Sequence, residues 1–411
     1  MKIAFIVSTF PCVSQTFILS QITGLLDLGH EVDVYASRRE DGPVHAEVQR
    51  YRLQERTRYL RDFSIVEGRM RRLARTLAIL ARQAGRRPRL LLRWARMLRS
   101  SGLHYALNAL FTVEPFWAAG YDVIHCHFGP RGRALLFLKD LTPAKYLCSF
   151  YGYDLTSYIV QHGEAVYRDL FRKGDLFIAL SDDMQARLER LGCDPARIVV
   201  RRLGIDTACF TPAQRNGSAA QPVRILSVAR LVEKKGIEYA IRAMARLITP
   251  HPALRYVIVG GGPLEASLRA LIRKLSLEDH VALLGAQTSD AVARLMLESD
   301  IFVLPSVTAA DGDQEGIPVS LAEAQACGLP VVSTRHSGIP ELVVDGQSGF
   351  LVPERDVDAL AEKLRVLIEH PDMRRQFGRN GRRIVEEQYD VTQLNRRLAD
   401  IYEGLVHHGR A

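Results

Sequence analysis

The sequence predicts an α/β protein with two domains, each a parallel sheet covered by helices on both faces. Short apolar runs of strand length alternate with helical patterns along most of the 411 residues, which is typical of doubly wound folds. A chain of this length exceeds a single typical domain. The polar stretch 213–222 contains Gly, Ser and Pro and predicts a linker. We therefore expect one domain at 1–212 and a second at 223–389.

The first domain begins with a strand at 2–7, a helix at about 15–28 and a second strand at 30–36. Residues 45–118 are polar and then basic, and their patterns predict helices throughout. Further strands are expected at 122–125, 145–149, 175–180 and 198–202. The loop after the first strand is a potential phosphate site, but it lacks G-x-G-x-x-G, which disfavours a dinucleotide site.

The second domain repeats the alternation of strand and helix. Its strands are expected at 223–229, 255–259, 281–284, 300–304, 330–333 and 349–352. The last two helices are expected over 373–388 and 391–407. In such folds ligands bind at the carboxyl ends of the strands, so the loops that follow the strands are the candidate sites.

Positive charge is concentrated in one segment. The net charge is +9, and eleven arginines without any acid or lysine lie between Arg69 and Arg99. Removing these eleven charges would leave −2, so the basic character is a local patch. Arg89, Arg93 and Arg96 share a helical face, which suits an anionic membrane surface. The alternatives are a solvated helix pair and a nucleic-acid patch. The nucleic-acid patch lacks interleaved aromatics and a fold motif, so no nucleic acid is expected.

Cysteine usage and the N-terminus both favour the cytoplasm. The six cysteines are scattered without paired spacing, which predicts reduced thiols rather than disulfides or a zinc site. The first ten residues lack the long apolar region and cleavage site of a signal peptide. No stretch approaches the ~18 apolar residues of a spanning helix. We expect a cytoplasmic protein that the basic segment could hold, peripherally, on the inner face of the membrane.

Two carboxylates lie eight residues apart in a predicted strand–loop–helix unit. A strand at 300–304 precedes them, and a helix is expected over 319–327. Glu315 would lie in the loop and Glu323 in the second helical turn, on either side of free amides that attract an anion such as phosphate. Because carboxylates also accept hydrogen bonds from sugar hydroxyls, the unit suits a nucleotide sugar. The alternative is a solvated loop glutamate and an exposed helix glutamate.

Further polar and glycine-rich loops follow other strands of the second domain. Arg230 and Lys235 suit a diphosphate because they would neutralise a departing nucleotide, although a basic surface loop would look the same. Three glycines at 260–262 allow close approach of a ligand, or only a tight turn. Asp311-Gly-Asp313 looks like a metal motif, but it lies in a loop without the usual context, so no metal is expected.

The first domain contributes a histidine pair and an aspartate. His125 and His127 stand two residues apart at the end of a predicted strand, where side chains share a face. Alone, the pair is equally compatible with core packing or half a metal site. Asp154, after the next strand, could accept a proton from an acceptor hydroxyl or cap a helix.

The stretch with the two glutamates resembles a family signature. Glu315-Gly-Ile-Pro-Val-Ser-Leu-Ala-Glu323 is followed by Ala-Gln-Ala-Cys-Gly-Leu-Pro-Val-Val-Ser-Thr and His336-Ser-Gly-Ile-Pro-Glu-Leu-Val, as in glycosyltransferase family 4. The loop Phe10-Pro-x-x-Ser14-Gln15-Thr-Phe-Ile is similar to the Phe-Pro-x-x-Ser-Glu-Thr-Phe-Ile loop of its exopolysaccharide, colanic-acid-type branch. Gln15 stands where that branch has Glu. The resemblance covers nearly the whole chain.

This resemblance implies the GT-B fold, in which two Rossmann-like doubly wound domains face a central cleft. A last helix at about 390–411 would cross back onto the first domain. The implied catalytic residues are Glu315, His127 and Asp154. The implied donor-binding residues are Arg230, Lys235, Gly316, Ile317, Pro318, Glu323, Gly261 and Leu284. The implied acceptor-side residues are Ser14, Gln15, His125 and Tyr151.

Within these sets the resemblance implies individual roles. Glu323 would bind the ribose, Glu315 the transferred sugar, and Arg230 with Lys235 the leaving diphosphate. Leu284 begins the stretch where family members hold the base by backbone contacts.

The implied reaction is transfer of a sugar from a UDP- or GDP-sugar to a saccharide or lipid-linked saccharide, with retention of configuration. It would serve exopolysaccharide biosynthesis, with the nucleotide sugar as co-substrate and no other cofactor. Two other classes of protein stay open. A nucleotide-sugar epimerase or hydrolase would form epimer or free sugar without an acceptor. A non-catalytic binding protein would bind nucleotide sugar without turnover.

Overall fold

The structure is a computed structural model that describes residues 1–12, 15–40, 44–60, 69–212 and 222–407. Over these ranges the chain forms two parallel sheets, one of seven strands and one of six. The predicted linker at 213–222 lies outside the described residues except for Pro222.

The first sheet has the strand order β3-β2-β1-β4-β5-β6-β7, and all its pairs are parallel. The strands are β1 (Lys2–Thr9), β2 (Glu31–Arg38), β3 (Thr57–Tyr59), β4 (Val123–His127), β5 (Lys145–Ser149), β6 (Leu176–Ala179) and β7 (Ile198–Val200). The order reverses between β1 and β4, so the loops after these strands open on one crevice.

Ten helices surround this sheet within the described residues. They are α1 (Thr16–Asp27), α2 (Ala46–Arg50), α3 (Arg69–Ala84), α4 (Pro88–Ser101), α5 (Leu103–Ala119), α6 (Gly129–Ala134), α7 (Phe137–Leu141), α8 (Ser157–His162), α9 (Arg168–Lys173) and α10 (Asp182–Arg190). Apolar side chains from both faces of the sheet form two buried clusters, as expected for a doubly wound domain.

The second sheet has the order β10-β9-β8-β11-β12-β13, again parallel. Its strands are β8 (Arg224–Val228), β9 (Arg255–Val259), β10 (Val281–Leu283), β11 (Ile301–Leu304), β12 (Val331–Thr334) and β13 (Gly349–Val352). The helices that follow are α11 (Ile237–Leu247), α12 (Glu265–Lys274), α13 (Ser289–Leu297), α14 (Val319–Ala326), α15 (Ile339–Leu342), α16 (Val357–Glu369), α17 (Pro371–Gln388) and α18 (Val391–His407).

One element differs from the sequence-based expectation. Residues 45–118 were expected to be helical throughout, but β3 lies within them and pairs in parallel with β2. This edge strand has only three residues, which is too short to show a period of two, and one strand neighbour stabilises it.

The last helix, α18, packs on the first domain rather than on the second. Its Leu398, Ala399 and Tyr402 belong to the same buried cluster as β1. Asn395 Nδ2 donates to Ser20 O at 2.9 Å, and a Cβ at Gly24 would lie 2.0 Å from Asn395 Nδ2. Glycine at this position of α1 is therefore what lets the two helices approach.

The two domains also touch through α10 and through the loops after β5 and β11. Glu341, at α15, accepts the backbone N–H groups of Asp182 and Asp183 at 3.0 and 3.2 Å, so it caps α10 of the other domain. Near β5 and β11, a Cβ at Gly152 would lie 3.1 Å from Gly316 N. The loops after the strands of the two sheets therefore face each other at close range.

No helix among the described residues is both long enough and apolar enough to cross a membrane.

Candidate active site

Glu315 lies in the loop between β11 and α14, where the two domains meet. Its side chain is buried, and Oε1 lies 2.9 Å from Lys235 Nζ. This is an ion pair without hydrogen-bonding geometry, and Oε1 has no hydrogen-bond partner among the described residues. Burial opposes ionisation, but the charges of Lys235 and Lys234 outweigh it and lower the pKa of Glu315. The carboxylate is therefore ionised and can still accept a ligand hydroxyl.

Lys234 fastens the same loop. Its Nζ lies 2.9 Å from Asp313 Oδ2 and donates to Gln314 O at 3.2 Å. A Cβ at Gly236, just after the lysines, would lie 1.9 Å from Pro305 O, so only glycine lets the loop after β8 approach the end of β11. Asp313 of the Asp-x-Asp motif therefore forms an ion pair with Lys234. Within the described residues no group of three or more His, Cys, Asp or Glu side chains is arranged to hold a metal.

His336 and Glu354 support the loop that holds Glu315, and the sequence analysis did not identify either of them as part of the site. The backbone N–H of Glu315 donates to His336 Nε2 at 3.1 Å, and His336 Nδ1 lies 2.6 Å from Glu354 Oε1. Because Nε2 accepts, the ring proton lies on Nδ1 and is donated to Glu354. The ring is fully buried, so it fixes the backbone of Glu315 rather than contacting a ligand. His336 lay inside the quoted family stretch, which was the available signal.

Gly316, Ile317 and Pro318 connect Glu315 to α14. All three are buried, and Pro318 is the residue before the first helical turn. The first amides of an α-helix have no partner within it, so the start of α14, just after Glu315, can bind an anion. A Cβ at Gly316 would lie 3.1 Å from the carbonyl oxygen of Tyr151 in the first domain. A larger residue here would therefore separate the two walls of the cleft.

Glu323 stands in the second turn of α14 and has no side-chain partner among the described residues. Burial raises its pKa to about 7. A half-desolvated carboxylate that receives no hydrogen bond from the protein destabilises the folded state unless a ligand supplies the donor. Glu323 therefore suits the hydroxyl groups of a bound ligand.

The other predicted donor residues border the same edge of the second sheet. Arg230 is exposed and makes no ion pair with any described residue. A Cβ at Gly261 would meet nothing within 4 Å, whereas one at Gly260 would lie 1.8 Å from Ala229 O. Gly260 is therefore required by the fold, and Gly261 leaves open space above the strand ends.

Leu284 is placed at this edge. Its N–H donates to Ile258 O and its carbonyl accepts from Gln287 Nε2, both at 3.0 Å. The N–H is thus used by the fold, whereas the carbonyl oxygen can accept a second hydrogen bond. Its side chain is 44% exposed and is the part that can pack on a flat ligand group.

His127 and Tyr151 form the first-domain side of the cleft. His127 Nδ1 lies 2.6 Å from Tyr151 Oη, while Nε2 is buried and has no hydrogen-bond partner among the described residues. Burial, with smaller contributions from His125 and Arg201, holds the pKa of His127 well below its usual range. The ring is therefore neutral. Since Tyr151 also lies against Gly316, it links His127 to the loop of Glu315.

His125 does not lie on the acceptor side, contrary to the implied role. It is fully buried, with Nδ1 2.6 Å from Tyr402 Oη and Nε2 2.7 Å from Ser149 Oγ. Burial lowers its pKa to about 3, so the ring is neutral. Both ring nitrogens are used inside the protein, and His125 joins the first sheet to α18. This is the core-packing alternative.

Asp154 is likewise engaged by the protein. Oδ1 accepts the N–H groups of Tyr151 and Gly152 at 2.9 and 3.0 Å, and Oδ2 accepts that of Gly129 at 3.0 Å. The side chain is fully buried, and burial raises its pKa despite these hydrogen bonds. Asp154 is therefore not placed as a general base, nor does it cap the helix that follows. It fixes the backbone on which Tyr151 stands.

Two predicted acceptor-side residues remain. Ser14 lies outside the described residues. Gln15 is half-buried just before α1, and its carbonyl accepts the N–H of Ile18 at 3.0 Å. It lies with Phe10 and His45 beside a small hollow on the first domain.

The fold and the site can now be compared with known proteins. The sequence model described as Glycosyltransferase Family 4 matches residues 14–208, and that described as Glycosyl transferases group 1 matches residues 212–384. WcaL of Escherichia coli K12, named as a colanic acid biosynthesis glycosyltransferase, is 40% identical over 98% of this chain and 100% of its own. The amylovoran biosynthesis glycosyltransferase AmsK of Erwinia amylovora is 37% identical over 99% and 100%.

Solved structures agree on the fold. HepE of Anabaena, in complex with UDP, superposes with a TM-score of 0.72 at 18% identity, covering 98% of this chain and all of the other. Sucrose-phosphate synthase of Thermosynechococcus elongatus gives 0.74 at 20% identity, covering 99% and 100%. The expected GT-B fold is therefore confirmed, and the chain belongs to glycosyltransferase family 4 as a glycosyltransferase that uses a nucleotide sugar.

Proposed function

We propose that this protein transfers a hexose from UDP- or GDP-sugar to a saccharide carried on a lipid, with retention of configuration, in exopolysaccharide assembly. The observation that carries the proposal is the pair Glu315 and Glu323 on either side of the first turn of α14. Glu315 is an ionised buried carboxylate, and Glu323 has no side-chain partner among the described residues. Two such acceptors around free helix amides suit a diphosphate between two hydroxyl-bearing groups.

The donor would lie along the carboxyl edge of the second sheet. Glu323 accepts from the ribose hydroxyls, and the base packs on Leu284. The open space above Gly261, the backbone N–H groups of Gly316 and Ile317 and the first turn of α14 after Pro318 accommodate the sugar–diphosphate. Glu315 then accepts a hydroxyl of the transferred sugar.

Departure of the nucleotide would be assisted by two cations. Lys235 pairs with Glu315 at 2.9 Å, and Arg230 is unpaired among the described residues. A diphosphate competes with Glu315 for Lys235, which frees the carboxylate for the sugar and places a positive charge at the leaving oxygen. Because arginine and lysine supply this charge, we propose that transfer proceeds without a metal ion.

The acceptor would enter from the first domain, beside neutral His127, whose buried Nε2 has no hydrogen-bond partner among the described residues. No side chain on the described residues is evident as a nucleophile on the far side of the sugar. We therefore infer a front-face mechanism in which the acceptor hydroxyl attacks on the side that the diphosphate leaves. The exopolysaccharide context is supported by the names of WcaL and AmsK, which match along the full chain.

A surface on α3 and α4 suits an anionic membrane and would hold this cytoplasmic protein beside a lipid-linked acceptor. Met70, Leu73 and Leu77 form one stripe of α3, and their side chains are 56–80% exposed. On α4, Arg89 and Arg96 are exposed without an ion pair to any described residue. Apolar side chains beside free cations are what an interfacial helix requires. Arg93, by contrast, donates to Asp140 O at 3.1 Å.

Thermal unfolding with UDP, GDP and their sugar conjugates tests the donor assignment. A ligand at 100 times its Kd stabilises the folded state by about 2.7 kcal/mol. One base should stand out for the wild type, and Lys235→Ala should lose most of the shift. Anomeric analysis of the product by NMR then tests retention. Free sugar or epimer formed without acceptor would instead favour a hydrolase or epimerase, and binding without turnover a non-catalytic protein.

Vesicle co-sedimentation tests the membrane surface. Arg89→Glu/Arg96→Glu should release the protein from vesicles that contain phosphatidylglycerol. Arg269→Glu/Arg273→Glu, an exposed pair on α12, changes the charge equally and should stay bound. Equal binding of both double variants would remove the role of this surface.

A further inference from the structure

A cavity of about 340 Å³ lies on the second domain, away from the cleft. One wall is the helix α17, from Pro371 to Glu386. The other includes Asp300 and Pro330, which directly precede β11 and β12. The cavity therefore opens at the amino ends of the strands, whereas the donor site lies at their carboxyl ends. It cannot be part of the site already described.

Arginine dominates the lining of this cavity. Five arginines face it against two carboxylates, Asp300 and Glu386. The arginines are Arg374, Arg375, Arg379, Arg382 and Arg383, all on α17.

Three of the five arginines are used by the fold. Arg374 donates to the carbonyls that end α16, and Arg375 pairs with Asp372. Arg382 pairs with Glu386 at 2.7 Å and also donates to Ala326 O at 2.7 Å. These contacts hold α17 in place, and they satisfy three of the five guanidinium groups that line the cavity.

Arg379 and Arg383 make no contact of this kind among the described residues. They stand one helical turn apart, are exposed, and form no ion pair with any described residue. Two like charges at this spacing repel each other and destabilise a helix. An anion between the two guanidinium groups would turn that repulsion into two charge-assisted hydrogen bonds.

The shape of the cavity indicates more than a single small ion. Its lining runs from Pro371 to Glu386, which corresponds to about 22 Å along α17 at 1.5 Å per residue. The rings of Pro212 and Pro330 give the opposite wall an apolar surface. The first turn of α17, with its positive helix end, lies at one end of the cavity.

We propose that this cavity is a second anion site of the enzyme, which binds a diphosphate or a phosphate ester between Arg379 and Arg383. The site is distinct from donor binding and does not depend on the proposed sugar transfer. The same chemistry is offered by a soluble phosphorylated metabolite and by a phospholipid headgroup. The experiment below has one arm for each.

Calorimetric titration of the full chain with inorganic diphosphate tests the site. The wild type should show two binding events, one at the cavity and one at the cations of the donor site. Arg379→Ala/Arg383→Ala should weaken one event by about 10- to 100-fold and leave the other unchanged. Arg230→Ala should have the opposite pattern, which separates this proposal from the donor assignment.

Arg269→Ala/Arg273→Ala is the matched control, because it removes two exposed arginines four residues apart on another helix of the same domain. The proposal is overturned if Arg379→Ala/Arg383→Ala gives the same isotherm as this control. The single variant Arg379→Gln provides a second test in case the double variant misfolds. The lipid arm uses phosphatidylcholine vesicles with phosphatidic acid, and every protein in it carries Arg89→Glu/Arg96→Glu, so that the surface on α3 and α4 does not hold it on the vesicles. In this background, loss of co-sedimentation on adding Arg379→Ala/Arg383→Ala identifies a headgroup as the source, and unchanged vesicle binding with lost diphosphate binding identifies a soluble ligand.

Discussion

Replacing Glu323 by glutamine should stabilise the ligand-free protein while weakening its binding of nucleotide. Burial raises the pKa of Glu323 to about 7, from an ordinary value of 4.5. Between these two values the folded protein holds the proton and the unfolded chain releases it, so stability falls as pH rises through this window. One pKa unit corresponds to about 1.4 kcal/mol, so ionisation opposes folding by up to about 3 kcal/mol at pH 8.

Glutamine carries no charge and escapes this penalty. Glu323→Gln should therefore unfold several degrees above the wild type at pH 8, since 1 kcal/mol shifts the midpoint by about 2–4 °C for domains of this size. At pH 5 the difference should fall below about 1 kcal/mol, because the wild-type carboxyl is then protonated in the folded state.

Nucleotide binding supplies the opposite readout. With a pKa of about 7, roughly nine tenths of Glu323 is ionised at pH 8 and one tenth at pH 6. If ribose hydroxyls donate to the carboxylate, wild-type affinity for UDP or GDP should fall about tenfold between these pH values. Glu323→Gln should bind weakly at both.

The assay is scanning calorimetry at pH 5 and pH 8, combined with titration of UDP and GDP. Glu387→Gln, an exposed glutamate on α17, is the control and should change neither quantity. A variant that is no more stable than the wild type at pH 8 would refute the account of Glu323 as a carboxylate held for a ligand.

Further substitutions test the supporting contacts. His336→Ala should lower kcat by about 10- to 100-fold with a smaller effect on nucleotide affinity, because the substitution frees the backbone of Glu315. Steady-state kinetics would measure this loss, and an unchanged kcat would contradict the supporting role of His336. Asp154→Asn should cost at least about 2 kcal/mol in urea unfolding, because an amide nitrogen would face a backbone N–H in a buried site. Tyr402→Phe should cost about 1–3 kcal/mol, since it leaves His125 Nδ1 unpaired, whereas Tyr153→Phe on the exposed surface should cost little. Transfer should persist in EDTA, and its loss with recovery on adding Mg²⁺ would overturn the proposed role of Arg230 and Lys235 as the source of positive charge.

The sequence predicts those parts of the molecule that depend on local pattern. The strand before Glu315 and the helix that holds Glu323 follow from an apolar run and a Pro-initiated helix, and both appear close to the expected bounds. The short edge strand β3 does not, because three residues carry no period and only its neighbour β2 makes it a strand.

The differences at the site arise from contacts between residues far apart in the chain. His125 and His127 look alike in sequence, yet Nδ1 of His125 bonds to Tyr402, 277 residues away, whereas Nε2 of His127 has no hydrogen-bond partner in the part of the chain that the structure describes. In the sequence Asp154 is a candidate general base, but in the structure its carboxylate accepts hydrogen bonds from three backbone N–H groups. His336 was visible in the family stretch, but its hydrogen bond to the backbone of Glu315 needs the folded loop.

The charge pattern shows the same limit. The count of arginines drew attention to Arg69–Arg99, whereas the five arginines of α17 are flanked by acids in the sequence and stand out only beside a cavity. A high density of charge in the sequence predicts a surface patch. A charged pocket can be predicted only when the positions of the residues in the folded protein are known.

The return of α18 to the first domain has a consequence for biosynthesis. A ribosome makes the chain from its amino end, so β1 to β7 are complete once residue 200 has been added. The buried partners of His125 and Arg201, Tyr402 and Asn395, are made last. Throughout synthesis of the second domain the first one therefore exposes the apolar surface that α18 will cover, and a nascent chain that stops before residue 391 lacks the helix that completes it. The protein's first domain to be translated is thus its last to be finished.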